Sequence, residues 1–92
     1  MSVGLEVSLE KVRESAQVAE YKFFVRPGNG GLAVGSATGA PGFASIEKTT
    51  GQIELQQECP DDVEGLIFAR ASVALRRHWR VGEYPSATSW AS

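Results

Sequence analysis

A chain of 92 residues, with 42% hydrophobic and 22% charged residues, has the composition of one small globular domain and excludes an intrinsically disordered protein. Its net charge of −2 at pH 7 argues against a general affinity for nucleic-acid backbones or anionic membranes. The single cysteine, Cys59, excludes an internal disulfide and fits a reducing compartment. No apolar run approaches the ~18 residues of a membrane span, and no secretory signal opens the chain, so we expect a cytoplasmic protein without a membrane partner.

The first predicted element is a helix over residues 8–20, because apolar residues recur there at spacings of three and four. Ser8 is a suitable N-cap for this helix. The stripe runs through Leu9, Val12, Ala16 and Ala19. A competing interpretation is a strand at Val3, Leu5 and Val7, which alternate with period two, so the start of the helix stays open.

A first hairpin is predicted after this helix. The aromatic and β-branched run at residues 21–26 indicates a strand. The glycine-rich segment 27–31 supplies positions that accept positive φ and predicts a turn. A second short strand is predicted at 32–36, followed by a loop of small residues at 36–42.

A second hairpin is predicted from residue 43 to residue 57. Its strands are 43–48 and 52–57, and Gly51 occupies the turn position that needs positive φ. Ile53 and Leu55 alternate with polar residues, which is typical of a sheet with one face on the core and one in water.

The clearest element is a helix from Asp61 to Arg80. Asp61 is a suitable N-cap, and Glu64, three residues later, completes a capping-box pattern. Gly82 is well placed to end the helix. At 100° per residue a core face about 120° wide is predicted. That face holds Ile67, Phe68, Ala71, Ala74 and Leu75.

These elements predict one α+β domain over residues 1–82. It has an N-terminal helix, a four-stranded, mostly antiparallel sheet made of two hairpins, and a C-terminal helix, with both helices on one face of the sheet. Residues 83–92 are expected to form a flexible tail unless Tyr84 or Trp90 docks onto the domain.

The residue types that most often act in catalysis or bind metals have no partner residues at the spacings that such sites need. His78, the only histidine, has no metal ligand or orienting group near it in the sequence, and a helix-terminal packing role explains it. Cys59 is flanked by acidic residues, which oppose thiolate formation. The glycine clusters lead into strands and not into a helix N-terminus, so they do not predict a phosphate site. We therefore expect no enzymatic activity, no cofactor and no metal.

A second stripe on the long helix is a candidate interface. It consists of Leu66, Arg70, Val73 and Arg77, on the side away from the core face. Arginine beside apolar residues is a composition found at protein interfaces. The alternative is a helix that packs on more than one side within its own domain, with arginines that extend to solvent.

Residues 46–53, with the sequence IEKTTGQI, follow the predicted helix and aromatic strand. This arrangement resembles small bacterial α+β proteins, in which a similar hairpin follows an N-terminal helix. It is similar to some immunity proteins of bacterial toxin systems, and more loosely to PepSY-like domains. The resemblance covers about a third of the chain and implies a protein partner, but it transfers no functional residue.

The favoured hypothesis is thus a non-enzymatic protein-binding module, an immunity or adaptor protein, or a homodimer. A nucleic-acid binder is the alternative, because sheet aromatics and basic residues together bind single strands. Its residues are Tyr21, Phe23 and Phe24 with Lys22, Arg26 and the helix arginines. A small-molecule site made of Tyr21, Glu54 and His78 is a third hypothesis.

Overall fold

The structure, a computed structural model, describes residues 6–25, 39–62 and 64–91. Within these ranges the chain forms one helix and five strands. The five strands make a single antiparallel sheet, in the spatial order β4-β3-β2-β1-β5. The last strand returns to pair with the first, so β1 lies inside the sheet. No helix in these ranges is long and apolar enough to cross a membrane. The elements are β1 (Glu6–Glu14), β2 (Val18–Phe24), β3 (Gly42–Glu47), β4 (Ile53–Gln57), α1 (Leu66–Val81) and β5 (Ala87–Ala91).

The predicted N-terminal helix over residues 8–20 is wrong, since this segment forms β1 and the beginning of β2. A tight turn joins the two strands. The Ser15 hydroxyl accepts hydrogen bonds from the backbone N–H groups of Gln17 and Val18, at 3.2 and 3.1 Å. Such local side-chain bonds compete with helix formation. The competing strand interpretation is right for Val7, whereas Val3 and Leu5 lie outside the described residues.

The predicted pair of helices on one face of a four-stranded sheet is also wrong. α1 alone packs on the described sheet, and it lies across β5, β1 and β2. The side chains beneath it come from alternate positions of the strands and form the core with the inner side of α1. They are Val7, Leu9, Ala19, Tyr21, Phe23, Ala44 and Ile46. Only the coarse class, a small α+β domain, agrees with the sequence prediction.

The start of the long helix differs from the prediction. α1 begins at Leu66, because Gly65 adopts a left-handed conformation with φ of 78° and interrupts any helix before it. The capping side chain is Asp62, whose carboxylate accepts the N–H groups of Ile67 and Phe68 at 3.0 and 2.9 Å. Asp61 instead accepts the N–H of Gly39 at 3.0 Å. The capping box of Asp61 and Glu64 is therefore wrong.

The C-terminal end of the helix agrees with the prediction. Gly82 has φ of 77°, and its N–H donates to the carbonyl oxygens of His78 and Trp79. Ile67, Ala71, Ala74 and Leu75 are buried as predicted. Phe68 is half-buried, with its ring centroid 5.9 Å from that of Phe23.

The second predicted hairpin is confirmed as β3 and β4. Gly51 in its turn has φ of 77°. The bounds differ from the prediction by one residue. Of the first predicted hairpin, residues 21–24 belong to β2, which begins earlier, at Val18, and ends at Phe24, while Arg26 lies outside the described residues. The turn at 27–31 and the strand at 32–36 lie outside the described residues.

Residues 87–91 belong to the sheet as β5. Residues 83–92 were expected to be a tail unless an aromatic residue docked, and Trp90 does pack against the core from β5. The connection from α1 to β5 is held by two side chains of inner strands. The Tyr21 hydroxyl donates to the Pro85 carbonyl oxygen at 2.6 Å, and Lys11 Nζ donates to the Tyr84 carbonyl oxygen at 2.8 Å.

Candidate protein-binding surface

The orientation of α1 is set by contacts on its two flanks. On one flank, the Arg70 guanidinium lies 4.4 Å from the centroid of the Trp90 ring, and His78 Nε2 is 2.7 Å from Thr88 Oγ1. Trp90 and Thr88 both belong to β5. On the other flank, Trp79 Nε1 donates to the Lys48 carbonyl oxygen beside the β3–β4 turn, at 2.9 Å. The helix is thus fixed in rotation, with one flank over β5.

The outer helix stripe of Leu66, Arg70, Val73 and Arg77 lies on the β5 flank and faces outward. The Leu66 and Val73 side chains are 38% and 46% exposed. Arg77 is exposed, whereas Arg70 is half-buried against Trp90. Arg70 Nε is buried and has no hydrogen-bond partner among the described residues, so packing on the indole holds this side chain. The structure therefore brings the four predicted residues together on one surface.

The charge of α1 is of one sign. Its sequence from Leu66 to Val81 contains arginine but neither aspartate nor glutamate. The arginines are Arg70, Arg76, Arg77 and Arg80. Val81, at the end of the helix, is 67% exposed and adds a third apolar side chain to the solvent side. The surface thus combines apolar groups with positive charge.

The opposite side of the molecule is acidic. We call it the open sheet face, because no described element covers it. Its glutamates outnumber its basic residues, Arg13 and Lys22. Lys22 Nζ lies 3.3 Å from Glu10, and Arg13 lies 3.8 Å from Glu20. The register assigns to this face Glu6, Glu10, Glu20, Glu47 and Glu54.

The residues with potential chemistry are dispersed. The Cys59 side chain is buried and donates to the Ala40 carbonyl oxygen at 3.2 Å, and burial raises the pKa of its thiol. Tyr21 is buried beneath α1, whereas Glu54 points to the open sheet face, so Tyr21, Glu54 and His78 do not form one site. Within the described ranges no three His, Cys, Asp or Glu residues could hold a metal ion.

Two of the three aromatic residues named in the nucleic-acid hypothesis are not exposed for stacking on bases. Tyr21 and Phe23 are fully buried in the core and cannot stack on bases. Phe24 is half-buried on the open sheet face, opposite Ser8, with Lys22 Nζ 6.0 Å from its ring centroid. Lys22 is paired there with Glu10. Arg26 lies outside the described residues.

Trp90 is the residue of this surface that sequence reasoning missed. It positions Arg70, yet it lies in a segment that the sequence assigned to a tail. The signal that could have found it is the alternation of Thr88 and Trp90 with the small residues Ala87 and Ser89, which is a strand pattern.

Comparison with known proteins gives no relative. No protein-family model matches the chain, and neither a curated protein nor a solved structure matches it with significance.

Proposed function

We propose that this chain is a non-enzymatic protein-binding module that contacts its partner through the outer helix stripe. The observation that carries the proposal is the exposure of Leu66 and Val73 beside Arg70 and Arg77, on a helix that is fixed in rotation on both flanks. Apolar side chains flanked by arginine have the composition of an interface core.

The stripe is preorganised for binding. Stacking on Trp90 restrains Arg70 before any partner arrives, so less side-chain entropy is lost on association. Removing the exposed parts of Leu66 and Val73 from water contributes on the order of 1 kcal/mol each. The guanidinium groups add bidentate hydrogen bonds to carboxylates or carbonyl groups of a partner.

An immunity or adaptor role follows from the same proposal. Either role needs a stable surface for one protein partner, which the restrained outer helix stripe would supply. A single free thiol, buried in the structure, is suited to a reducing compartment such as the cytoplasm.

The test is binding by three variants that each place a charge on an exposed apolar position. Leu66→Asp and Val73→Asp alter the stripe, and Val12→Asp is the matched control, because Val12 on β1 is 48% exposed. We expect co-purified partners and self-association to be lost in the first two variants and retained in the third. A monomeric chain whose partners are unchanged by both stripe variants would remove the basis of the proposal.

Titration with a fluorescent oligothymidylate at low salt separates this function from the alternative. A single-strand binder shifts the fluorescence anisotropy at low salt and loses the shift as salt increases. We expect no shift, because Tyr21 and Phe23 are buried.

A further inference from the structure

The outer edge of β5 carries backbone groups that no described strand pairs with. Lys11 N–H donates to the Ser86 carbonyl oxygen, and β1 pairs with β5 in the register Leu9 to Thr88 and Ser8 to Ser89. Hydrogen-bonded pairs alternate with non-bonded pairs in an antiparallel ladder. Thr88 and Trp90 therefore direct their backbone groups at β1. The groups that point outward belong to Ala87, Ser89 and Ala91.

Among the described residues, the β5 edge lacks three features that keep sheet edges apart, namely charge, proline and a bulge. Residues 87–91 contain no charged residue and no proline. Natural edges are usually protected by charge, proline or a bulge. The other edge strand, β4, carries Glu54, and its pairing with β3 has an irregularity. β5 is thus the edge suited to accept another strand.

The apolar residues of α1 are arranged symmetrically about this edge. Arg70 contacts Trp90 and His78 contacts Thr88, so α1 runs antiparallel to β5 and its middle lies over Ser89. Val73 is at the middle of the helix, and Leu66 and Val81 are its first and last residues. A two-fold axis through Ser89 would therefore bring Val73 near its own copy, and Leu66 near Val81 of the second copy.

We propose that the partner of this surface is a second copy of the chain, joined edge to edge through β5 about a two-fold axis at Ser89. This inference rests on the proposed function and names the partner. Ser89 pairs with Ser89 of the second copy and Ala87 pairs with Ala91, which uses every outward backbone group of the strand. The two sheets become one, and the outer helix stripes meet on one side of it.

The geometry of regular structure agrees with this arrangement. Neighbouring strands lie about 4.8 Å apart and packed helices about 8–10 Å apart. Because α1 lies across β5, β1 and β2, the two helices stand on the same side of the joined sheet, and their outer helix stripes face each other across the axis. A closed two-fold contact also uses the same patch on both copies and does not extend into fibres.

The salt dependence of binding distinguishes a second copy of the chain from an acidic partner protein. An antiparallel helix pair places Arg70 near Arg77 of the second copy, and α1 has no acidic residue to offset them. Salt screens this repulsion, so added salt strengthens self-association. An acidic partner protein would show the reverse dependence.

The experiment is sedimentation velocity of the full chain over a range of concentrations up to about 1 mM, the regime of weak association. Ser89→Pro removes an outward N–H and leaves the β1 ladder intact, and Ser89→Lys places a charge at the axis. Gln57→Lys on the edge of β4 is the matched control. We expect the native chain and Gln57→Lys to dimerise and both Ser89 variants to be monomeric, with circular dichroism confirming that they fold.

Amide hydrogen exchange provides a second readout. In the dimer the amides of Ala87, Ser89 and Ala91 are protected, and in Ser89→Lys those of Ala87 and Ala91 exchange rapidly. A dimer that persists in both Ser89 variants, or that weakens on addition of salt, overturns edge pairing.

The proposal and the proposed function fail in different ways. A native chain that stays monomeric at every concentration overturns the second-copy inference. The proposed function survives that result if Leu66→Asp and Val73→Asp still abolish binding of another protein while Val12→Asp does not.

Discussion

Trp79 lies directly over Gly51, so that a Cβ atom added to the glycine would be 2.7 Å from the indole carbons Cδ2 and Cε2. The same indole donates its Nε1–H to the Lys48 carbonyl oxygen at 2.9 Å. The contact joins α1 to the β3–β4 turn. It also fixes which side of the helix faces solvent, and the exposure of Val73 depends on that rotation.

Replacing Gly51 with alanine should destabilise the fold strongly. The left-handed conformation costs a non-glycine residue about 1–2 kcal/mol, and the displacement of Trp79 adds about 1–3 kcal/mol. Urea unfolding measures the loss. Gly65→Ala is the matched control, because Gly65 has φ of 78° but no atom within 4 Å of the added Cβ. Equal losses in the two variants would show that the contact with Trp79 has no energetic role.

Asp62 should be the energetically important cap of α1. Its carboxylate accepts two N–H groups of the first turn, so Asp62→Ala should lower the free energy of unfolding by about 1–2 kcal/mol. Glu64→Ala is the control, since the Glu64 side chain makes no hydrogen bond in the described part of the chain and is exposed. A larger effect at Glu64 would support the capping box after all.

Glu14 should make stability depend on acidic pH. Hydrogen bonds from Lys11 and Lys48, both at 2.5 Å, lower the pKa of its carboxyl from 4.5 to about 2. Because the folded pKa is depressed, this contribution is present above about pH 4.5 and is lost as pH falls toward 2. Urea midpoints of the native chain should fall over this window, and those of Glu14→Gln should fall less.

The control for that measurement is Glu83→Gln. Glu83 is exposed and its side chain forms no ion pair with another described residue. Its variant should keep the acid dependence of the native chain. A native dependence that survives in Glu14→Gln would assign the acid sensitivity to other carboxylates.

Tyr21 should anchor the connection to β5. Burial, with a smaller effect from the Glu14 charge, raises the pKa of Tyr21 from 10.0 to about 12. A raised folded pKa gives stability that is complete below pH 10 and is lost as pH rises toward 12. Tyr21→Phe also removes the hydrogen bond to Pro85 and should cost about 1–2 kcal/mol at neutral pH.

Tyr84→Phe serves as the comparison, because the Tyr84 hydroxyl donates to no residue within the described ranges. Its neutral-pH stability should match that of the native chain. Alkaline unfolding followed by tyrosine absorbance should begin at the same pH in the native chain and in this variant. A loss in Tyr84→Phe as large as in Tyr21→Phe would locate the anchor elsewhere.

Local chemistry in the sequence was sufficient for part of the fold. Gly51 in the β3–β4 turn and Gly82 at the end of α1 both have the predicted positive φ, because each position needs a residue without Cβ. The inner face of α1 follows from helical periodicity alone, and Ile67 and Leu75 are buried as expected. The same periodicity predicted the outer helix stripe, because at 100° per residue its four residues lie on the side of the helix away from the core face.

Only the tertiary structure decided the rest. Residues 8–20 have apolar spacings that suit a helix, but they form strands because β1 is paired on both edges, with β5 coming from the far end of the chain. No local window contains that pairing. The choice of Asp62 over Asp61 as the cap, and the stacking of Arg70 on Trp90, likewise depend on contacts between distant segments. The sequence therefore determined which helix residues could form an interface. The pairing of β1 with β5 determined that Trp90 lies beside Arg70 in that stripe.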